Sequence, residues 1–578
     1  MNETQRVLPA QRRSRLEAEH GKWVPMTISQ QLDAMTERFV ERPLVLTDDV
    51  AYSYRDIQIW SLRVAAGLIE MGVKPGEHVA VIMANYPEFV ALKYAIARAG
   101  AVCVPLNYLL RERELRYVLD QSDSVVLVTM NRFGDRNYVE DLDVICPGWE
   151  ISGGGSWLPK LRSVAVFSTD GQSRIHAKTF ESLAIDLTPA LGAELGRRSA
   201  GADPESNSDI VYTSGTTGHP KGVMLSHQMI LRAAYASAYT RAFEDGRRIL
   251  FSLPMYHVFG YVECLIASSF VGGAIIPHTS FDAGRMVTAA QNHRASEMVC
   301  VPVMTLKILE VVEEKGFDSS HFLAMFNSGG ASPRSIWGRI RSLLGANEIL
   351  TAYGMSETTA STTCTMPEDS DDRLITSNGK LKFAGIAGDP RLKGILAEYK
   401  VIDPESGDTL QPGHDGELMA RGPIVTHGYY NKPEETRAAL EPDGWLHTGD
   451  IGRIDADGYL TLTGRIKETY RCGGEMVVPR EIEEVVNGHP LVGQAYVVGI
   501  PHERMGEVGC LCIVPRGETR PKTQELLDLC AANLAKFKVP RHVIFITAGE
   551  VPMTATGRPQ KFKLTDLAKA RLAAALAS

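Results

Sequence analysis

The segment Thr213-Ser214-Gly215-Thr216-Thr217-Gly218-His219-Pro220-Lys221-Gly222 sets three glycines and four hydroxyl side chains beside one lysine. Glycine lets the backbone fold tightly and turn its N–H groups toward an anion. The hydroxyls add donors, and Lys221 adds positive charge. Residues 210–212 before the segment are strand-like, and Ser226 after it is a good N-cap for the helix-forming stretch that follows. A strand–loop–helix that cradles phosphate is therefore expected, with a helix N-terminus close to the anion. The segment is not a Walker A loop, because Gly218 is followed by His219 and Pro220 rather than by Lys and Ser or Thr. A Gly/Ser/Thr surface loop shares the composition, but the lysine and the flanking elements favour triphosphate binding.

Upstream, residues 54–71 carry apolar side chains at helical spacing (Ile59, Leu62, Ala65, Ala66, Ile69) and end at Gly72, a C-terminal cap. Strand-like runs at 79–83, 101–106 and 125–128 alternate with helix-like segments at 86–97 and 111–119. Short apolar strands between helices indicate a sheet covered on both faces. Residues 152–156, rich in glycine, read as a surface loop. The alternation resumes near Leu250 and continues to about Met355. From Gly416 the pattern shifts to shorter strands and tight turns, and Asp457-Gly458 between two strand-like runs marks a hairpin. Pro479 suits the first turn of a short amphipathic helix that closes at Asn487 and Gly488.

The expected fold class is α/β: a large N-terminal domain of layered sheets with a small β-structured subdomain, then a small mobile α+β domain. The expected division is a polar extension at 1–24, a main domain at 25–464, a hinge at 465–468 and a C-terminal domain at 469–578. Such a division suits 578 residues, since single cores rarely grow past about 300 residues. With 61 basic and 69 acidic side chains the net charge is -8, which argues against a large nucleic-acid surface. The 9 cysteines lack metal-site or disulfide-framework spacing, so a reducing compartment is expected. Residues 1–22 are too polar for a signal peptide. The longest nearly apolar stretch, 264–276, falls short of the roughly 20 residues a spanning helix needs. A cytoplasmic enzyme with no transmembrane segment is the expectation.

Further motifs follow the loop in order: Tyr353-Gly354-Met355-Ser356-Glu357-Thr358, Thr448-Gly449-Asp450, Gly464-Arg465-Ile466-Lys467, Cys472-Gly473-Gly474-Glu475 and Thr556-Gly557-Arg558. The series resembles the adenylate-forming (AMP-binding) superfamily, in its acyl-CoA synthetase or fatty-acid–CoA ligase branch, across residues 25–570. The resemblance implies that ATP and a carboxylic acid give acyl-AMP and pyrophosphate, after which the CoA thiol displaces AMP. Thr213, Ser214, Gly215, Thr216, Thr217 and Gly218 would bind phosphate together with Lys221. Tyr353 and Gly354 would pack against adenine, with Gly329, Gly330 and Ala331 walling its other side. Glu357 would coordinate Mg²⁺, a hard cation suited to carboxylate and phosphate oxygens. Thr358 would lie near the α-phosphate, and Asp450 would bind the ribose hydroxyls with Arg465 nearby. His257 would organise the carboxylate site. Lys467 would be the hinge about which the small domain turns between two half-reactions. Arg471, Gly473 and Gly474 would face CoA, glycine serving there because a side chain would obstruct close approach. Homodimerisation follows from the same analogy. Apolar wall candidates at 257–264, 301–304 and 329–331 favour a fatty, alicyclic or aromatic acid.

One residue departs from the pattern. The position after Gly557 is usually a lysine that bridges the substrate carboxylate and the α-phosphate, and here it is Arg558. Arginine keeps the charge but is a planar fork rather than a compact ammonium. Lost transition-state contacts there would cost a few kcal/mol, roughly two decades or more in rate. Three arrangements satisfy the sequence. Arg558 does the lysine's work; or Lys561 or Lys563 supplies the charge; or the chain performs mainly CoA thioesterification on an acyl-AMP preformed by a separate adenylating enzyme. A noncatalytic nucleotide-binding protein is the alternative from another class, although Lys221, Glu357, Asp450 and the Gly473-Gly474 pair favour chemistry.

Overall fold

The computed structural model describes residues 7–213, 220–330, 332, 334–553 and 559–577. Two seven-stranded sheets organise the N-terminal part. One runs Glu348–Leu350, Ala324–Asn327, Glu297–Cys300, Arg248–Phe251, Ala274–Pro277, Pro43–Leu46, Ala51–Ser53. The other runs Lys221–Ser226, Asn207–Thr213, Val102–Pro105, His78–Ile82, Ser124–Met130, Ser163–Phe167, Lys178–Thr179. Each is parallel except for one antiparallel pair at an edge. Ser124–Met130 is buried along its whole length, as a parallel strand covered on both faces must be. The expected alternation is therefore what forms, and so is the α/β class.

The long helix Tyr54–Glu70 occupies the expected residues, with Ala65 and Ala66 buried and Leu62 and Ile69 packed against the core, but one of the five expected apolar positions lies outside. Ile59 is 47% exposed, whereas Ile57, Ser61, Val64 and Leu68 are buried. Arg98, on the neighbouring helix Pro87–Arg98, donates to Ser61 Oγ at 2.8 Å. A polar residue thus sits on the packed face because it has a buried partner, which apolar periodicity does not register. The stretch at 152–156 is also less superficial than expected. Gly153 and Gly154 are buried, and a Cβ on Gly154 would stand 2.1 Å from Leu158 O.

The polar N-terminal extension contains a helix, Pro9–His20, whose Leu16 joins the main core. Arg12 is buried and pairs with Glu348, while Arg13 donates to the carbonyls of Tyr239 and Thr240, both at 3.0 Å. The helix is fastened by ion pairs and hydrogen bonds rather than by an apolar stripe.

The phosphate-loop region corrects the expected strand–loop–helix. Residues 214–219 lie outside the described residues, and the element after them is a strand. Lys221–Ser226 pairs antiparallel with Asn207–Thr213, Lys221 opposite Thr213. The helix His227–Thr240 begins only afterwards, with Ser226 Oγ accepting Met229 N–H as the expected cap. A hairpin, not a helix N-terminus, therefore presents the loop.

His227, in the first turn of that helix, is buried, with Nδ1 facing Ile28 N–H at 3.4 Å. Burial, reinforced by Lys93, lowers its pKa from 6.5 to about 3. A base held neutral this way binds fewer protons folded than unfolded, so it stabilises the fold fully above pH 6.5 and progressively less as pH falls toward 3. His227→Gln is expected to flatten the fall in thermal midpoint between about pH 7 and 5; a melting series across that range checks it.

Beyond the large sheets come a three-stranded sheet (Ala352–Met355, Ala360–Cys364, Lys380–Leu381) and a four-stranded antiparallel one (Glu398–Ile402, Gly416–Arg421, Leu446–Ile454, Leu460–Arg465). The hairpin expected at Asp457-Gly458 joins the last two strands, with Gly458 at φ +84°. After a 3₁₀ turn at Ile466–Glu468, a separate core begins at Tyr470. It is built on a sheet ordered Glu475–Val477, Tyr470–Cys472, Gly506–Pro515, Val492–His502, with His542–Phe545 beside Gly506–Pro515. The helix Pro479–Asn487 buries Ile482 and Val486 in this core. Among the described residues no helix is long and apolar enough to cross a membrane.

Candidate active site

Lys221 opens the returning strand of the hairpin, and its Nζ stands 4.1 Å from the centre of the Tyr429 ring. The Tyr429 hydroxyl donates to Glu357 Oε1 at 3.0 Å. Cation, phenol and carboxylate thus form one chain. Burial lowers the pKa of Lys221, with Glu357 opposing that shift and Lys467 adding to it. Burial raises the pKa of Glu357, while hydrogen bonds and Lys221 favour its charged form. Both groups are desolvated enough to gain from a ligand of opposite charge.

Tyr429 was not expected from sequence; its only signal is the Gly428-Tyr429-Tyr430 run in a connecting segment. The tertiary structure fastens that segment to the hairpin. Tyr430 N–H donates to Gly222 O at 2.8 Å, and Met224 N–H to Gly428 O at 3.2 Å. Gly428 has φ +139°, and a Cβ there would lie 2.6 Å from Thr436 Cγ2.

A second constellation surrounds Asp450. Tyr353 OH donates to Asp450 Oδ2 at 2.7 Å, and Arg465 Nε lies 2.9 Å from Oδ1. Asp450 and Arg465 face each other across paired strands, so the register itself makes the ion pair. Asp450 raises the pKa of Arg465. Tyr353 and Asp450 are both buried. Gly354 is required by close pairing, because a Cβ would stand 2.0 Å from Ala360 O.

Glu357 lies on the 3₁₀ turn Ser356–Thr358. Thr358 is fully buried, and its hydroxyl is engaged by Met355 N–H and the carbonyls of Met355 and Ala360, all at 3.2 Å. It braces the turn from inside. Ser356 is the other hydroxyl on the same turn and lies on the opposite side of Glu357 in sequence.

The three wall segments expected from sequence converge. Gly329, at φ +87°, would place a Cβ 3.1 Å from Val301 Cγ1 and 3.9 Å from the Phe259 ring. Gly330 is exposed beside Pro302; Ala331 lies outside the described residues. His257 caps the helical turn that carries Phe259, its Nδ1 accepting Phe259 N–H at 3.2 Å. Asn85 fixes the approach, accepting Met255 N–H at 2.8 Å and donating to Leu253 O at 2.9 Å.

Arg471, Gly473 and Gly474 belong to the C-terminal sheet. Gly473 and Gly474 take φ +64° and +91° in the turn joining Tyr470–Cys472 to Glu475–Val477. Arg471 donates to Gly474 O at 3.1 Å and pairs with Glu405 of the N-terminal part. Lys467 sits within the 3₁₀ turn Ile466–Glu468. Ser214, Gly215, Thr216, Thr217, Gly218 and Arg558 lie outside the described residues. Lys561 is already engaged: its Nζ is 2.7 Å from Glu483 and 3.3 Å from Glu468. That removes it as a ready source of the charge expected from a lysine at 558. Lys563 is exposed.

Comparison with known proteins identifies the family. Residues 32–430 match the family model described as AMP-binding enzyme, and residues 481–558 match AMP-binding enzyme C-terminal domain. The chain is 30% identical over 559 residues to the Danio rerio protein described as medium-chain acyl-CoA ligase ACSF2, mitochondrial, covering 94% of this chain and 89% of that one. It is 31% identical over 544 residues to a Mycobacterium tuberculosis (strain ATCC 25618 / H37Rv) CoA ligase described for a methyl-dioxo-octahydroindenyl propanoyl group, covering 94% and 99%. The solved structure of the anthranilate CoA ligase AuaEII in complex with anthranoyl-AMP shares the fold, with TM-score 0.81 at 23% identity, covering 95% of this chain and 99% of that one.

Proposed function

The chain belongs to the AMP-binding enzyme family, in its acyl-CoA synthetase branch, and from that premise we propose how its own residues run the two-step acid–CoA ligase reaction. The observation that carries the proposal is that the strand Ala352–Met355 and the turn Ser356–Thr358 join two constellations, Lys221–Tyr429–Glu357 and Tyr353–Asp450–Arg465. In the first step the acid's carboxylate attacks the α-phosphorus of ATP and pyrophosphate leaves. Lys221 and the loop at 213–218 neutralise the triphosphate; Asp450 accepts the ribose hydroxyls, having lone pairs left beside those used by Tyr353 and Arg465. In the second step the CoA thiol attacks the acyl carbon and AMP leaves.

Glu357 suits Mg²⁺: its buried carboxylate has one neutral side-chain donor, and Mg²⁺ is commonly held by one or two carboxylates plus substrate phosphates. When bound, the ion supplies charge neutralisation at the phosphate oxygens. Because Thr358 braces the turn, Ser356 is the hydroxyl proposed to face the α-phosphate. Lys467 and its turn form the proposed hinge, supported by the separate cores on either side. The acid is proposed to be apolar (fatty, alicyclic or aromatic), since Phe259, Val301 and Gly329 line the converging wall segments.

ATP-dependent pyrophosphate exchange over a panel of such acids tests the first step, and thioester formation from supplied acyl-AMP and CoA tests the second. Turnover in neither assay would sink the ligase reading. Tyr429→Phe is expected to slow exchange roughly tenfold, because a hydrogen bond to a charged group is worth about 1.5–3 kcal/mol. Exchange kinetics at varied ATP check it.

A further inference from the structure

A π-helical turn, Tyr261–Ile266, follows directly on the segment carrying His257 and Phe259. Turns of this kind recur at functional sites, and here the side chain at its centre is Glu263, fully buried. Its carboxylate accepts Ser361 N–H at 3.0 Å and Lys382 Nζ at 2.9 and 3.1 Å. It also accepts the hydroxyls of Ser237 and Ser361, with Arg241 3.7 Å away. A buried carboxylate persists only when donors and countercharges surround it, and these do.

Ser361 stands at the exit of an unusual piece of backbone. Thr359 has φ 52° and ψ 62°, and Ala360 has φ 77°. Side-chain-bearing residues rarely take the left-handed region, β-branched ones least of all. Such strain survives only where the surroundings over-determine it. Here it is gripped from both sides. Thr359 Oγ1 donates to Ile424 O at 2.8 Å, and Glu263 holds Ser361 by both its N–H and its hydroxyl. Directly before the strained pair comes the turn that carries Glu357.

We propose that Glu263 is a positioning residue for adenylation: by clamping Ser361 it sets the strained link, and with it the Ser356–Thr358 turn, in register with Lys221. The same π turn continues from the acid-wall segment at His257 and Phe259. Glu263 therefore keys the acid side of the cleft to the nucleotide side through one rigid element. This rests on the ligase reading above, and concerns how that site is held together.

The test compares Glu263→Gln and Ser361→Ala with the unaltered protein in the two half-reactions. Both variants are expected to slow pyrophosphate exchange roughly tenfold or more, since a misplacement of about 1 Å can cost a hundredfold. Thioester formation from supplied acyl-AMP should stay at the unaltered level. Equal losses in both half-reactions, or unaltered exchange in Ser361→Ala, would overturn the clamp. Glu263→Gln leaves Lys382 and Arg241 less balanced; if it does not fold, Ser361→Ala alone decides, with its thermal midpoint measured alongside. If the unaltered protein performs neither half-reaction, the ligase reading fails. Mg²⁺-dependent ATP binding then decides the clamp: a reduced Mg²⁺ increment in Ser361→Ala supports it and an unchanged one overturns it.

Discussion

Glu357→Gln is expected to lower pyrophosphate exchange by at least about a hundredfold while leaving thioester formation from supplied acyl-AMP largely intact. Removing one preorganised electrostatic contact to a transition state typically costs about 2.7–4 kcal/mol, two to three decades in rate. Glutamine preserves the shape and still accepts from the Tyr429 hydroxyl, now at 3.0 Å from Oε1, so the turn should hold. It removes the negative charge that opposes Lys221 across the Tyr429 ring. The proposed Mg²⁺ contact is lost with it. The exchange assay should therefore show a higher Mg²⁺ requirement together with the lower rate. Exchange at the unaltered level would remove Glu357 from the metal and nucleotide role.

Arg558→Lys is expected to raise pyrophosphate exchange by tenfold or more, with thioester formation from acyl-AMP unchanged. A lysine offers a compact ammonium that fits between two oxygens, whereas guanidinium is a planar fork that does not replace it in a tight site. A tenfold gain is about 1.4 kcal/mol of transition-state stabilisation, modest for a bridging contact. The structure sharpens this expectation by removing a substitute. Lys561 is held between Glu483 and Glu468; burial works against its charge, and the two carboxylates more than offset that. Exchange that falls or stays level in the lysine variant would show a site adapted to arginine. Exchange absent in the unaltered protein but restored by lysine would favour the thioesterification-only arrangement, in which another enzyme provides the acyl-AMP.

Much of the architecture is legible in the chain because its causes are local. Alternating helices and short apolar strands announce covered parallel sheets, and Asp457-Gly458 announces a hairpin because glycine takes φ +84° there. Ser226 caps its helix through a hydroxyl three residues from its partner. The ordered motifs point to the family for the same reason, each being a short run of residue types at set spacing. Local pattern misleads where a long-range partner changes the balance. Ser61 is buried because Arg98 reaches it, and Ile59 is left outside. At the phosphate hairpin the local pattern points from a strand straight to a helix, because Ser226 signals a helix start but not the strand before it.

By itself, then, the sequence determined the α/β class, the family, the candidate chemistry and the arginine at 558. Only the tertiary structure decided which distant side chains meet. Tyr429 reaches Glu357 across 72 positions and Tyr353 reaches Asp450 across 97, while Glu263 grips Ser361 across 98. Periodicity, caps and turn residues act over a few positions along the chain. Contacts between distant segments depend on how sheets and helices pack, and a hydrogen bond exists only once that packing brings donor and acceptor within about 3 Å.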